Sequence, residues 1–407
     1  MKQIILFAAT CLALTLHAQI NSKQLKKDIS YLASDKLKGR GTSTPEEKIA
    51  ADYIASSFKS AGLLPKGNND YLYNFTFKKN PNPHDTAIVS VPERKGIDVI
   101  GYLDNGAKHT IVIGAHYDHL GLGHDHNSLD ANPEGKIHNG ADDNASGTAG
   151  VLELARYFAK NNKKEAYNFL FMCFSGEELG LLGSKKWCDN PTIDLSSVNY
   201  MLNMDMIGRL NDSTKKLLIY GVGTSPTWVP LLEKTNTYFS LKNDSSGIGP
   251  SDQTSFYLKD IPVLHFFTGQ HSDYHKPSDD ANKINFAGEQ KVLEFITKLI
   301  DATLDMPKLT FTKTAAPATA KTSWKVTMGV MPDYAFEGVG MRIDGVTDNK
   351  PAAKAGLEKG DVIIELGGQT VNNVQDYMKA LSTFKKGDKT KVVVKRGNEN
   401  ITKEVEF

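Results

Sequence analysis

Four nearly uninterrupted apolar runs, Thr110–Ala115, Asn168–Phe174, Asn199–Met204 and Val263–Phe267, limit the fold of this chain more than any other feature. Strands buried on both faces of a parallel sheet read as such runs, because neither face meets water. Segments of helical period lie among them. Val151, Leu154, Ala155 and Phe158 share one side of a helix opened by Ser146, and Val292, Phe295, Ile296 and Leu299 do so near Phe286 to Leu304. Upstream, Thr44-Pro45-Glu46-Glu47 has the form of a capped helix start and Gly62 that of a stop. The reading is an α/β fold, with a mostly parallel central sheet flanked by helices.

Acidic and imidazole side chains follow most of the apolar runs. They are His116 in G-A-H-Y-D-H, Asp142 in N-G-A-D-D-N-A-S-G, Glu177 and Glu178 in S-G-E-E, Asp205 in N-M-D-M-I-G and His275 in H-S-D-Y-H-K-P. Open α/β sheets carry their sites beyond the carboxyl ends of the strands, so ligands scattered in sequence converge in space. Zinc takes imidazole nitrogen and carboxylate oxygen and, when catalytic, keeps a position for water. Two zincs sharing one carboxylate activate water near neutral pH. Asp142, in a tight turn leading into a helix, is the expected bridge between a His116–Asp205 pair and a Glu178–His275 pair. Glu177 is the spare carboxylate, suited to take a proton from the attacking water. The other histidines read differently. His124, His126 and His138 lie in a Gly-, Asn- and Asp-rich stretch, Gly121 to Asn139, that reads as a polar surface loop, and His119 and His271 flank ligands as structural or substrate-facing residues.

From about Leu32 to Leu304 these motifs closely resemble the family of co-catalytic di-zinc aminopeptidases that also contains the glutamate carboxypeptidases. The resemblance implies two Zn2+ per chain, His116, Asp142, Glu178, Asp205 and His275 as metal ligands, and Glu177 as general base. It implies Asp118 as the carboxylate that orients the His116 imidazole, with Asp143 a second supporting carboxylate, and a cis Asp142–Asp143 bond. Two departures stand out: family members often have Ser-Asp-His where this chain has Ser251-Asp252-Gln253, and some have a Tyr where it has Ile248. Tyr274, next to His275, is the candidate to help bind the oxyanion instead.

A chain of 407 residues suggests two or three units, and 40% hydrophobic and 23% charged residues fit a globular protein. A net charge of +1 gives no reason to expect nucleic acid or an anionic membrane as partner. Met1-Lys-Gln, the apolar run Ile4–Leu16 and a small residue near Ala18 read as a secretory signal over residues 1–18, with no membrane span once it is removed, so the expected location is periplasmic or secreted. Cys173, within a strand-like run, reads as a buried thiol, and Cys173 and Cys188 make no disulfide framework. Residues 19–307 form the peptidase domain of this reading. Residues 308–323, small, polar and proline-containing, form a linker.

From Trp324 to Phe407 the chain resembles a small β-rich PDZ domain of the kind attached to bacterial exported proteases, most specifically in A-A-K-A-G-L-E-K-G-D-V-I. Thr327, Met328, Gly329 and Val330 align with the loop that holds a peptide's terminal carboxylate, which implies peptide C-termini as ligands. The expected function is removal of N-terminal residues from peptides. A carboxypeptidase or dipeptidase register, a one-zinc glutaminyl cyclase and a catalytically inactive PDZ adaptor stay open as alternatives. Intact His116 and Asp205 speak against the cyclase, and the full ligand set against the adaptor.

Overall fold

The computed structural model describes residues 19–78, 92–125, 127–128, 130, 132–314, 326–332, 336, 338–346, 350–381 and 383–407. The expected signal segment and His126 lie outside them.

A nine-stranded sheet organises the larger unit. Its strands are β1 (Leu64–Pro65), β2 (Leu72–Lys78), β3 (Glu93–Leu103), β4 (Thr110–His116), β5 (Asn168–Phe174), β6 (Val198–Met204), β7 (Lys216–Tyr220), β8 (Ser240–Asp244) and β9 (Val263–Phe267). The order is β1-β3-β5-β4-β6-β9-β7-β8, with β2 beside β3. The four apolar runs are the central strands β5, β4, β6 and β9, and these pair in parallel. Every residue of β4, β5 and β6 is buried. Around this centre the sheet is mixed, because β3 and β7 join it antiparallel.

Helices cover both faces. On one side α1 (Ser22–Leu32), α2 (Pro45–Ala61), α3 (Gly147–Lys160), α5 (Trp228–Thr235) and α7 (Phe286–Asp301) bury Leu25, Phe58, Phe158, Trp228 and Phe295. On the other, α4 (Leu182–Asp189) and α6 (Gln253–Tyr257) bury Trp187 and Phe256 with Phe75 of β2. The start of α2 is capped as its sequence predicts: Thr44 Oγ1 accepts the Glu47 N–H at 3.1 Å, and Pro45 occupies the first turn, where no intrahelical donor is lost. Gly62 ends the helix at φ 87°, a left-handed conformation that favours glycine. Cys173 and Cys188 are buried free thiols.

A separate six-stranded antiparallel sheet follows in the order β10 (Val330–Pro332), β11 (Met341–Val346), β12 (Val362–Leu366), β14 (Lys389–Arg396), β15 (Glu399–Glu406), with β13 (Gln369–Thr370) beside β12. With α8 (Pro351–Lys354) and α9 (Val374–Leu381) it encloses its own core of Met328, Ile343, Ile363, Leu366, Val392 and Val394. Among the described residues no helix is long and apolar enough to cross a membrane.

Residues 308–314, read from composition as the start of a linker, run along the larger unit. Leu309 is buried and its N–H donates to Asn199 Oδ1 at 2.7 Å; the Thr312 N–H donates to Thr224 O at 2.8 Å, and Phe311 packs on Tyr257. Two apolar side chains in an otherwise small, polar stretch are enough to dock it. Residues 315–325 lie outside the described residues.

Candidate metal centre

Strand β4 lies between β5 and β6, so the chain leaves it first to one side and later to the other. A crevice opens at the carboxyl ends of strands where the order reverses in this way. His116 is the last residue of β4, and Asp205 follows β6, its N–H donating to Phe266 O of β9 at 3.1 Å. After β5 the chain turns through Gly176 at φ 71° and presents Glu177 and Glu178. His275 sits in the loop beyond β9.

These side chains converge on Asp143. His116 Nε2 lies 3.4 Å from Asp143 Oδ1 and 3.4 Å from Asp205 Oδ1. On the opposite side His275 Nε2 lies 3.3 Å from Asp143 Oδ2 and 3.0 Å from Glu178 Oε2. Glu177 Oε2 is 3.9 Å from His116 Nε2. Among the described residues two groups bring ligand atoms within 4.8 Å of one another, His116–Asp143–Asp205 and His119–Asp143–Glu178.

The carboxylate between the two imidazoles is therefore that of Asp143, where the sequence reading expected Asp142. Asp142 turns away into the protein. Its Oδ1 accepts the Gly208 N–H at 2.7 Å and the Ser146 hydroxyl at 3.1 Å, and its Oδ2 faces His271 Nε2 at 3.1 Å. The cis peptide bond is Asp143–Asn144, one residue later than the expected Asp142–Asp143. Two adjacent aspartates in one turn point in different directions, and only the backbone decides which faces the crevice.

The donor set fits a pair of divalent cations. His116 Nδ1 lies 3.2 Å from the Asp118 carbonyl and His275 Nδ1 lies 2.8 Å from the Asn127 carbonyl. A carbonyl only accepts, so each Nδ1 carries a proton. In a neutral imidazole Nε2 then presents a lone pair to two carboxylates, an arrangement that a cation between them reconciles. Asp143 Oδ2 and Asp205 Oδ1 are buried and find no hydrogen-bond partner among the described residues. Imidazole with carboxylate is a zinc-type donor set. With protons alone to balance them, burial lowers the pKa of both imidazoles, but nearby carboxylates, Glu177 and Asp205 for His116 and Glu178 and Asp143 for His275, raise both well above the ordinary histidine range. Burial, with Glu178 and Asp205 nearby, keeps the Glu177 carboxyl well above its ordinary range despite His116.

The support around the centre is only partly as expected. Asp118 offers its backbone oxygen to His116 more closely than its carboxylate, whose Oδ1 is 3.7 Å away. That carboxylate accepts the Thr42 hydroxyl at 2.7 Å and the Glu177 N–H at 3.2 Å. Tyr274 stacks on His275 with ring centroids 3.9 Å apart. It lines a cleft of about 400 Å³ with Gln270, His271, Ser272 and Lys276.

Three features escaped the sequence reading. The stretch Gly121–Asn139 is no plain surface loop: besides the Asn127 carbonyl, the Ser128 hydroxyl donates to His275 O at 3.1 Å and Asn127 Nδ2 donates to Glu178 O at 3.2 Å. Arg40 is fully buried and donates to the carbonyls of Leu32, Tyr117, Asn139 and Gly140, pinning the strand-end loops together. Burial pushes its pKa down to about 10, against the charge of Asp143, so it stays a cation behind the acidic centre at neutral pH. The departing Ser251-Asp252-Gln253 segment is buried, with Asn203 Nδ2 donating to Ser251 Oγ at 2.9 Å and His265 Nδ1 3.1 Å from Gln253 Oε1. No periodicity announces any of these contacts.

In the smaller unit Gly329 adopts φ 75°, its N–H donating to Thr327 Oγ1 at 3.1 Å, and a Cβ there would strike Lys350. Met328 is fully buried, its carbonyl accepting the Ala352 N–H at 2.8 Å, and Val330 begins β10 at the sheet edge.

A mixed sheet of this order carries clustered imidazole and carboxylate groups at the ends of its central strands, and comparison with known proteins gives it a family. Residues 98–300 match Peptidase family M28 and residues 319–407 match the PDZ domain, so the chain carries an M28 peptidase domain followed by a PDZ domain. Leupeptin-inactivating enzyme 1 of Streptomyces exfoliatus is 27% identical over 289 residues, which are 58% of this chain and 62% of that relative. This chain thus spans less than two thirds of that relative's length. A zinc aminopeptidase from Bacillus subtilis superposes with TM-score 0.54 at 18% identity over 71% of this chain and 96% of its own. Porphyromonas gingivalis glutaminyl cyclase superposes with TM-score 0.57 at 17% identity over 70% and 99%. At these identities the two structures share the fold.

Proposed function

We propose that this chain is an exported zinc-dependent exopeptidase that removes residues from the free N-termini of peptides, with a PDZ module that recruits substrates or partners. The observation that carries the reading is the Asp143 carboxylate, one oxygen beside His116 and Asp205 and the other beside His275 and Glu178. In this reading His116 and Asp205 would hold one zinc, Glu178 and His275 the other, and Asp143 would be shared by both. When bound, the pair supplies Lewis acidity for the scissile carbonyl and acidifies the attacking water.

The chain's own residues do the rest. Glu177, largely buried beside the centre with Oε2 3.9 Å from His116 Nε2, takes the proton from water and returns it to the leaving amine. Asp118 fixes the backbone of Glu177 and the tautomer of His116. Tyr274, stacked on His275 at the cleft wall, is the candidate donor to the oxyanion. An N-terminal register accords with the aminopeptidase names carried by several relatives, among them a probable leucine aminopeptidase of Trichophyton verrucosum. Glutaminyl cyclisation is the rival that the shared fold favours. The presence of two groups of chelating side chains that share Asp143 supports the peptidase, since the rival uses one metal.

Elemental analysis of the zinc-loaded protein tests the metal pair. Two ions per chain are expected, with Asp143→Asn losing both and Asp142→Asn keeping them. A firm stoichiometry of one at full activity would overturn the reading.

A further inference from the structure

His119 stands outside the ligand set, yet its ring is locked against the Glu178 side of the centre. The side chain is fully buried, and its Nδ1 lies 2.7 Å from Glu178 Oε1 and 4.0 Å from Asp143 Oδ2. His275 reaches the same carboxylates from the other side, at 3.0 Å from Glu178 Oε2 and 3.3 Å from Asp143 Oδ2. The two oxygens of Glu178 are thus divided between two imidazoles.

The distances separate the two roles. A nitrogen 2.7 Å from a carboxylate oxygen is at charge-assisted hydrogen-bond length. Two ligands on one tetrahedral zinc, each about 2.0–2.2 Å from it, stand roughly 3.3–3.6 Å apart. His275 approaches the second pattern and His119 fits the first.

The ring is also held in place. Gly140 has φ 55°, and a Cβ there would lie 2.4 Å from His119 Cδ2, so the bare glycine makes room for the imidazole. His119 meets the His275 ring edge to face at 6.0 Å, and its backbone bridges Gly41. Its Nε2 is buried and has no hydrogen-bond partner among the described residues, consistent with a tautomer whose only proton sits on Nδ1.

We propose that His119 is a positioning residue for the Glu178 half of the metal pair. Its Nδ1–H donates to Glu178 Oε1, which leaves Oε2, beside His275, as the oxygen that binds metal. This rests on the two-metal reading above.

Zinc titration of the stripped full-length chain against a chromophoric chelator tests it in wild type, His119→Ala and His119→Asn. In His119→Ala one of the two ions, the one assigned to Glu178 and His275, should lose about 10–100-fold in affinity, the usual weight of a residue that supports a ligand, while the other changes little. His119→Asn, whose amide N–H can replace Nδ1–H, should recover most of the loss, and its Co2+ absorption bands should overlay those of wild type. Unchanged affinities in His119→Ala would overturn the proposal. So would His119→Asn as weak as the alanine variant with altered Co2+ bands, since His119 would then be a ligand. Wild type binding a single ion would instead overturn the two-metal reading itself. Should the alanine variant fail to fold, the asparagine variant and its Co2+ spectrum decide alone.

Discussion

Asp279 accepts the backbone N–H of Asp143 at 3.0 Å. The same Oδ2 takes the N–H of Asp142 at 2.9 Å, and Asp279 lies four residues beyond His275. The loop that delivers one imidazole therefore also holds the turn that delivers the shared carboxylate. Asp279→Ala would leave two buried N–H groups unpaired, each costing about 1–3 kcal/mol. The expected result is a lower melting temperature and weaker zinc binding, with Asp279→Asn between the two because it keeps one acceptor oxygen. Melting curves and zinc titration side by side check it; an alanine variant matching wild type in both would contradict it.

Adjacent glutamates should behave differently. Glu177→Gln is expected to keep its metal while activity falls by about 10²–10⁴-fold, the usual weight of general acid–base catalysis. Glu178→Gln is expected to lose metal affinity. Metal content and turnover measured on the same preparations separate the roles, and identical behaviour of the two would refute them.

Glu47 is buried and accepts from the Ser43 N–H and the Ser175 hydroxyl, but burial dominates and raises its pKa from 4.5 to about 8. A carboxyl whose folded pKa is raised holds its proton in the native state after the unfolded chain has released it. Its contribution to stability is complete below pH 4.5 and is lost as pH rises through about 8. Urea unfolding across this window should show stability falling with pH more steeply in wild type than in Glu47→Gln. Equal slopes would show that Glu47 titrates as an ordinary carboxyl.

A chain ending after Thr314 should hydrolyse short peptides as the full-length protein does, because every proposed catalytic residue and the docked segment 308–314 remain. Ending before Lys308 exposes the site of Leu309, whose burial is worth about 1.5–3 kcal/mol, and should lower the melting temperature. If the PDZ module recruits substrate, its loss raises KM for long peptides with free C-termini more than for dipeptides. Equal impairment on both, in folded zinc-loaded protein, would mean that the module completes the active site.

The central strands were legible because burial on both faces leaves an apolar run, and ligands at their ends follow from the topology. The edge of the sheet was harder to read: β3 and β7 turn antiparallel, and their partners lie far away in sequence. At the site, His116, Glu178, Asp205 and His275 lie together, but Asp142 and Asp143 have the same chemistry and only the turn's dihedrals separate them. Residues such as Arg40, His119 and Asn127 act through backbone carbonyls or single contacts across 59 to 148 positions of sequence, which leave no local pattern.

The most direct test incubates zinc-loaded protein with matched peptides bearing free or acetylated N-termini and follows the products by mass spectrometry. Stepwise loss of N-terminal residues from the free peptides, with the acetylated ones untouched and chelator abolishing the reaction, is the predicted result. Shortening from the C-terminus, cleavage of acetylated peptides, or loss of ammonia from N-terminal glutamine without shortening would contradict it.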